Sequence, residues 1–401
     1  VIKIQDALYD NPFLSNQEMT SFLVLFGEVV REHIHFRKLK KLKYIHGLLK
    51  YPILWPPGLD LFYFIKPEYL ELLKKKEIYF VFDASTEGFS PIIDNPFFEI
   101  LFNNCKLHNI DPRQILFVSS NLYDEINLNK FCKERHIEEK INVFSFVAFE
   151  YSIQHRHGFV DTKKYLDAKL NIVSHTFKDR YFSSLSRINR SHRTKATFLL
   201  CQDEISKQAL ISHDTVDPVS VEHLFRNYDQ QKVKDWISQL PLTVDRKDFA
   251  TNWALEGGYD QIHDQTLFQI VNETEANNKY NTALFYSEKT FRPISQLQPF
   301  IIYGQQYCNK YLKNIGYKTY EDWFDYSFDS EPDDTKRYEL LLESVKKTCH
   351  MLDQMSADEK VNWRFKNQQI LINNYDTLFF KSYSRGKMFQ FLVEFSKLHS
   401  K

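Results

Sequence analysis

The chain has 401 residues, 43% of them hydrophobic, which is enough for two domains with substantial cores and excludes a disordered polymer. Lys plus Arg equals Asp plus Glu at 52 each, so no global field draws the protein to nucleic acid or to an acidic surface, and any polyanion site has to be local. No apolar run approaches the roughly 18 to 20 residues that span a bilayer, and the N-terminus lacks the charged-then-apolar pattern of a signal peptide, so a soluble chain is expected.

The opening segment through Tyr51 is mixed and carries a basic run, Arg37 to Lys43, that reads as a solvated helix face, with a membrane-surface patch as the alternative. Pro52, Pro56 and Pro57 then break any helix. An alternation follows: helix over Tyr69–Lys76, strand over Ile78–Phe82, helix over Pro96–His108, strand over Ile115–Val118, helix over Leu128–Arg135, strand over Ile141–Phe149. Strands alternating with helices imply βαβ units and a parallel, doubly wound sheet.

Ligands of such sheets lie beyond the carboxyl ends of the strands. The polar exits there are Asp83–Glu87, Ser119–Asn121, and Glu150 followed by His155, Arg156 and His157. Ordinary turn chemistry accounts equally well for the Ser, Asn and Asp. Titratable groups gathered at one strand end can perform acid–base work on a hydroxyl, which makes Glu150 and His155 candidate bases. His155 and His157 have no further ligand at a metal-binding spacing, and the five cysteines are scattered and odd in number, so no metal is expected and a reducing compartment, the cytoplasm, is.

A boundary is expected between Lys169 and Tyr181, giving an N-terminal αβ domain over 1–175 and a C-terminal one over 176–401 whose last helices return to the first. The second half opens with a short strand from Tyr181 running into a loop with Arg187, Asn189, Arg190, His192 and Arg193, ahead of a helix over Lys195–Leu200. Arginine's planar fork grips phosphate and carboxylate through two hydrogen bonds, so this loop suits an anionic sugar nucleotide; pairing with the domain's own acids is the plainer alternative. Val233, Trp236, Ile237 and Leu240 have helical spacing, with Asp229 as the N-cap.

A strand over Leu267–Val271 exits through Asn272-Glu273-Thr274-Glu275, and a further apolar run follows at Pro299–Gly304. Between them lies Phe285–Ile294, read as a loop-to-helix junction whose free N–H groups and dipole favour an anion. Ser287 and Thr290 are expected on a phosphate, Lys289 and Arg292 supply charge, and Glu288 accepts from sugar hydroxyls. Pro293 is tolerated if Ser287 or Thr290 caps the first turn. Long helices close the chain, roughly Lys336–Met355, Asp358–Tyr375 and Thr377–Leu398.

Leu185-Ser-Arg-Ile-Asn-Arg-Ser-His-Arg193 resembles the "LNRxxRxHR" element of a bacterial and phage glycosyltransferase-like superfamily. Val271–Glu275, Ser287–Ile294, Pro299-Phe300 and Leu312–Tyr320 resemble, in the same order, its "VxET", "EKTxKPI", "PF" and "LxxxGFKTF" elements. Ser186 stands where the motif has Asn, and Arg292 where Lys is usual.

Within that group the chain is most similar to the β-Kdo transferase module of WbbB-type lipopolysaccharide O-antigen synthases. The resemblance covers about residues 181–330. It implies two Rossmann-like αβ domains in a modified GT-B arrangement, a CMP-β-Kdo donor held by the second domain without metal, and a lipid-linked glycan acceptor. Further glycosyltransferase domains in the same polypeptide, no nucleic acid, and a place in the cytoplasm at the inner face of the inner membrane are also implied. The donor-binding residues would be Arg187, Asn189, Arg190, His192, Arg193, Glu273, Ser287, Glu288, Lys289, Thr290 and Arg292. Retention would run through an aspartate nucleophile, here Asp229, with Asp235 the less favoured choice. A transferase using another nucleotide sugar, and a polysaccharide-assembly module with a silent nucleotide site, stay open.

Overall fold

The computed structural model describes residues 7–9, 14–15, 20–33, 36, 38–49, 56, 58–86, 91, 96–157, 167, 180–186, 188–217, 221, 223–244, 262–263, 265–277 and 282–398. The chain divides into two compact units, Val1–Ser152 with Lys279–Tyr286 and Ser382–Lys401, and Ile153–Asn278 with Ser287–Lys381. The boundary expected at residue 175 lies outside the described residues.

The first unit is built on a sheet ordered β1 (Leu14–Ser15), β2 (Tyr44–Leu49), β3 (Tyr79–Ala84), β4 (Ile115–Ser119), β5 (Asn142–Ser145). β2 to β5 pair in parallel and β1 runs antiparallel to β2. Side chains alternate across a strand, and both faces are buried here. Phe80, Phe82, Ile115 and Phe117 pack with Leu73 of α2 (Pro67–Lys74), Phe97, Phe98 and Leu101 of α3 (Phe97–His108), and Phe131 of α4 (Asp124–Glu134). On the other face, Val81, Leu116 and Val118 share a core with Phe22, Leu25 and Val29 of α1 (Ser21–Glu32), residues at helical spacing behind the Thr20 cap.

Apolar periodicity places β3, α3 and β4 within a residue or two. It misses α1 and β2, and among its described residues the basic run forms a 3₁₀ turn, Leu39–Lys41. The expected strand over Ile141–Phe149 is corrected: β5 ends at Ser145 and α5 (Ala148–His157) begins at once, because a short continuous apolar run fits a buried strand and a buried helix start alike.

The second unit has a four-stranded sheet of order β7-β6-β8-β9, with β6 (Arg180–Ser186), β7 (Ala209–His213), β8 (Thr266–Asn272) and β9 (Phe300–Tyr303), every pair parallel. α6 (Ser191–Cys201) follows β6, and its Phe198 packs with Val233 and Trp236 of α7 (Gln230–Ile237). α8 (Glu288–Ser295), α9 (Cys308–Asn314), α10 (Asp334–Asp353), α11 (Ala357–Lys366) and α12 (Gln368–Asp376) complete this unit. The chain ends in α13 (Tyr383–Leu398), which belongs to the first unit, where Met388, Leu392 and Phe395 join the α1 core. Both units are therefore α/β, each organised by a largely parallel sheet. No described helix is long and apolar enough to cross a membrane.

Candidate functional site

In the second sheet the chain enters at β6, steps to β7 on one side and then to β8 on the other. The carboxyl ends of β6 and β8 thus flank the point where strand order reverses, the place where open α/β sheets hold ligands. The β6 exit leads through Asn189 and Arg190 into α6; the β8 exit is Glu273-Thr274-Glu275.

Glu273 is buried and organises the crevice. Its Oε1 accepts from Ser287 N at 3.1 Å and Thr290 Oγ1 at 2.6 Å; its Oε2 accepts from Ser287 N at 3.1 Å, Ser287 Oγ at 2.6 Å and Thr274 N at 2.9 Å. One carboxylate therefore fixes the first turn of α8 against the end of β8. Ser287 is also the N-cap of α8, its Oγ accepting from Lys289 N at 3.3 Å. Pro293 is not in the first turn as expected but at the sixth helical position, where its missing N–H leaves the Lys289 carbonyl without its helical donor, and the helix stops two residues later.

These bonds bear on two of the expected donor contacts. A hydroxyl has one proton to donate, and in this structure Ser287 and Thr290 each give theirs to Glu273, which ties the helix start to the end of β8. Glu273 likewise shapes the site through these bonds.

The cations come from above. Arg193, buried in the first turn of α6, donates Nε to the Glu273 carbonyl at 3.0 Å and Nη2 to Thr274 Oγ1 at 3.2 Å. Lys289 Nζ reaches the same Thr274 Oγ1 at 3.3 Å and pairs with Glu288 at 2.7 Å. Burial lowers the Lys289 pKa; Glu288 pulls it back and the Arg193 charge lowers it again. Burial raises Glu288, but the adjacent Lys289 and Arg292 charges outweigh it and leave the carboxyl below its ordinary value. Arg190 pairs with Glu275 at the exposed rim. α6 starts at Ser191, so His192 and Arg193 lie in its first turn, ahead of the start expected at Lys195, and no side chain caps it.

His192 is corrected as a cation. Its Nε2–H donates to the Glu273 carbonyl at 3.0 Å, and burial, with Arg193, Arg190 and Arg337 nearby, brings its pKa down to about 4, so the ring is neutral at pH 7. Asn189 donates its amide to the Thr215 carbonyl, tying the β6 exit to the β7 exit. Arg292 is half-buried on α8; Arg187 lies outside the described residues.

The candidate catalytic residues lie on other elements, α7 and α5. Asp229 is the N-cap of α7, exposed, with Oδ1 accepting from Gln231 N at 2.9 Å and Lys232 N at 3.3 Å. Asp235 is exposed mid-helix and accepts from Gln231 Nε2 at 2.8 Å. Glu150 is corrected. Buried in the first unit and on α5 rather than at a strand end, it accepts from Ser384 N at 2.8 Å, Ser384 Oγ at 2.5 Å and Tyr383 N at 3.3 Å, so it holds the start of α13. His155 is half-buried on α5, and the side chains of Arg156 and His157 lie outside the described residues.

Sequence reasoning overlooked three contributors. Thr274 and Glu275 sat unassigned within the β8 exit, and their pairing with α6 could have been suspected from its arginines. Arg337 gave no signal: buried on α10, it donates to the carbonyls of Gly304 at 3.0 Å, Ala276 at 2.5 Å and Pro332 at 3.3 Å, holding the exits of β8 and β9 in place. Other motif positions are structural. Gly316, at φ +105°, ends α9 in a conformation that disfavours any side chain, and the Lys318 backbone is clasped by Asn374, N to Oδ1 at 2.7 Å and Nδ2 to O at 2.9 Å.

No family model matches the chain, and no curated protein does. Solved structures with a similar course include an α,α-trehalose-phosphate synthase (UDP-forming) from Burkholderia vietnamiensis, 10% identical over 94% of this chain and 79% of that one, at a TM-score of 0.38. An α,α-trehalose 6-phosphate synthase from Burkholderia multivorans is 10% identical over 94% and 75%, at 0.40. The N-terminal domain of a Candida albicans trehalose-6-phosphate phosphatase is 9% identical over 96% and 77%, also at 0.40. At these values the functional reading has to come from the residues themselves.

Proposed function

We propose that the second unit binds an anionic nucleotide sugar at the β6–β8 crevice and that the protein is a retaining glycosyltransferase. Its donor would be CMP-β-Kdo and its acceptor a terminal sugar of a lipid-linked lipopolysaccharide O-antigen or related surface glycan. The convergence of Arg193 and Lys289 on one hydroxyl carries the anion reading: two like charges are brought within reach of a single neutral oxygen, and an anion between them would relieve the repulsion. The CMP-Kdo assignment rests on the motif resemblance across residues 181–330.

The donor presents a phosphodiester and a carboxylate on the anomeric carbon. Arg193 and Lys289 would take the phosphate, together with the open N-terminus of α6, while Arg190 and Arg292 stand at the flanks for the carboxylate. Glu288, beside Lys289, would accept from the ribose. These fixed cations take the part that a divalent ion plays elsewhere, so no metal is called for.

Retention by double displacement needs a carboxylate that forms and then releases a covalent adduct. Asp229 is the proposed nucleophile: Oδ1 holds the α7 amides, and Oδ2 would bond to the anomeric carbon as CMP departs with the electron pair. The acceptor hydroxyl oxygen then displaces the carboxylate and gives up its proton to a base, for which His155 remains the candidate. Catalysis is proposed for the cytoplasm, where CMP-sugars are met.

The test is incubation with a panel of nucleotide sugars, with and without chelator, following nucleotide release and product. CMP-Kdo turnover undiminished by chelator is expected. Turnover of a different nucleotide sugar would move the donor; binding without any turnover would make the site a silent one in an assembly module.

A further inference from the structure

The first unit carries a recess of its own, remote in sequence from the residues of the β6–β8 crevice. A groove of about 530 Å³ runs beside α1, walled by Leu23, Val24, Val30, Leu39 and Leu42. Its size is that of a small-ligand cleft, about 300–1,000 Å³. Gly27 lies along it, in the middle of α1, and a Cβ built there meets nothing within 4 Å. Lacking a side chain, Gly27 leaves the groove open at a helical position where alanine would be favoured.

The rim is cationic. Arg31 and Lys40 line the groove, and Lys38, Lys41 and Lys43 stand exposed in the adjoining turn. None of these five cations has an ion-pair partner among the described residues. The acids of α1 are engaged elsewhere, Glu28 with Arg385 at 2.9 Å and Glu32 with Arg385 at 2.5 Å. Against 52 acids and 52 bases overall, this is a local excess of positive charge around an apolar slot.

From that pairing we infer that the groove docks the protein on an anionic phospholipid surface, an acyl chain lying along Gly27 and lipid phosphates on Arg31, Lys38, Lys40, Lys41 and Lys43. Apolar burial plus a polybasic rim are the two signals that together hold a peripheral protein on a membrane. Membrane binding and donor binding are read by separate assays, so this inference stands or falls without the transferase reading.

The experiment is co-sedimentation of the full chain with phosphatidylcholine vesicles, with and without phosphatidylglycerol. Binding to the anionic vesicles alone is expected, weakening as salt rises. K38Q, K40Q, K41Q and K43Q should each reduce partitioning about fivefold and together abolish it. Gly27→Leu, which fills the slot while leaving every lysine in place, should also weaken binding, and Gly27→Ala should leave most of it. Circular dichroism melts show that each variant is folded. Equal binding to both vesicle types, no binding to either, or full binding by the quadruple lysine variant would overturn the proposal. So would a concentration-dependent dimer that Gly27→Leu abolishes without vesicles, which gives the groove to a second copy.

Discussion

Glu273 accepts the hydroxyl proton of Ser287 at 2.6 Å, and that bond decides what both residues do. A serine whose hydroxyl donates to a buried carboxylate, and whose oxygen caps the helix, fixes the helix start. Glu273→Gln would put an amide N–H where Ser287 N–H and the two hydroxyls need acceptors. Denaturant unfolding should show a loss of about 1–3 kcal/mol, and CMP affinity should fall with it because α8 is no longer held. An unchanged unfolding midpoint would mean that Glu273 is not the anchor.

The Glu150 carboxylate does comparable structural work in the first unit. Glu150→Ala strips Ser384 and Tyr383 N–H of their acceptor and should lower stability by about 1–3 kcal/mol while CMP binds as before. Full stability combined with lost turnover would return Glu150 to the role of base.

His192 gives the site a pH signature. Its pKa of about 4 lies below the ordinary 6.5, so the unfolded chain takes up a proton that the folded one refuses. The stability it contributes is complete above about pH 6.5 and is lost as pH falls toward about 4. His192→Gln keeps an N–H for the Glu273 carbonyl and removes the titration. Thermal melts across that range should decline less for the variant than for the wild type, and parallel declines would place His192 outside the buried cluster.

Much of this architecture is legible in the amino-acid sequence. Alternation of apolar runs and polar exits locates β3, β4, β6 and β8, and the arginines after β6 and the acids after β8 mark the crevice. Sequence does not say that Glu273 takes the protons of Ser287 and Thr290, because who donates to whom depends on packing separate segments together. The burial that neutralises His192, and the reach of Arg337 from α10, are likewise properties of the folded chain. The run Ile141–Phe149 misleads because it satisfies strand and helix periodicity over its short length, and that error carries Glu150 to a strand end it does not occupy.

For Asp229 the isosteric change separates chemistry from capping. Asparagine is as good an N-cap, so Asp229→Asn should leave fold and CMP affinity intact while nearly abolishing transfer. Asp229→Ala also loses the cap and about 0.5–2 kcal/mol, which makes it the weaker test. Peptide mass spectrometry after incubation with CMP-Kdo should find the adduct on Asp229; an adduct on Asp235 or another carboxylate, or full activity of Asp229→Asn, transfers the role.

The most direct test of the anion crevice is a calorimetric titration of CMP into the wild type and Lys289→Met at low and high salt. Lys289→Met keeps the length of the side chain and removes one of the two charges that meet at Thr274. A charge-assisted hydrogen bond is worth about 1.5–3 kcal/mol, so the variant should bind about 10- to 100-fold more weakly, with a shallower dependence on salt. CMP bound equally by both proteins, or by neither, would contradict the assignment.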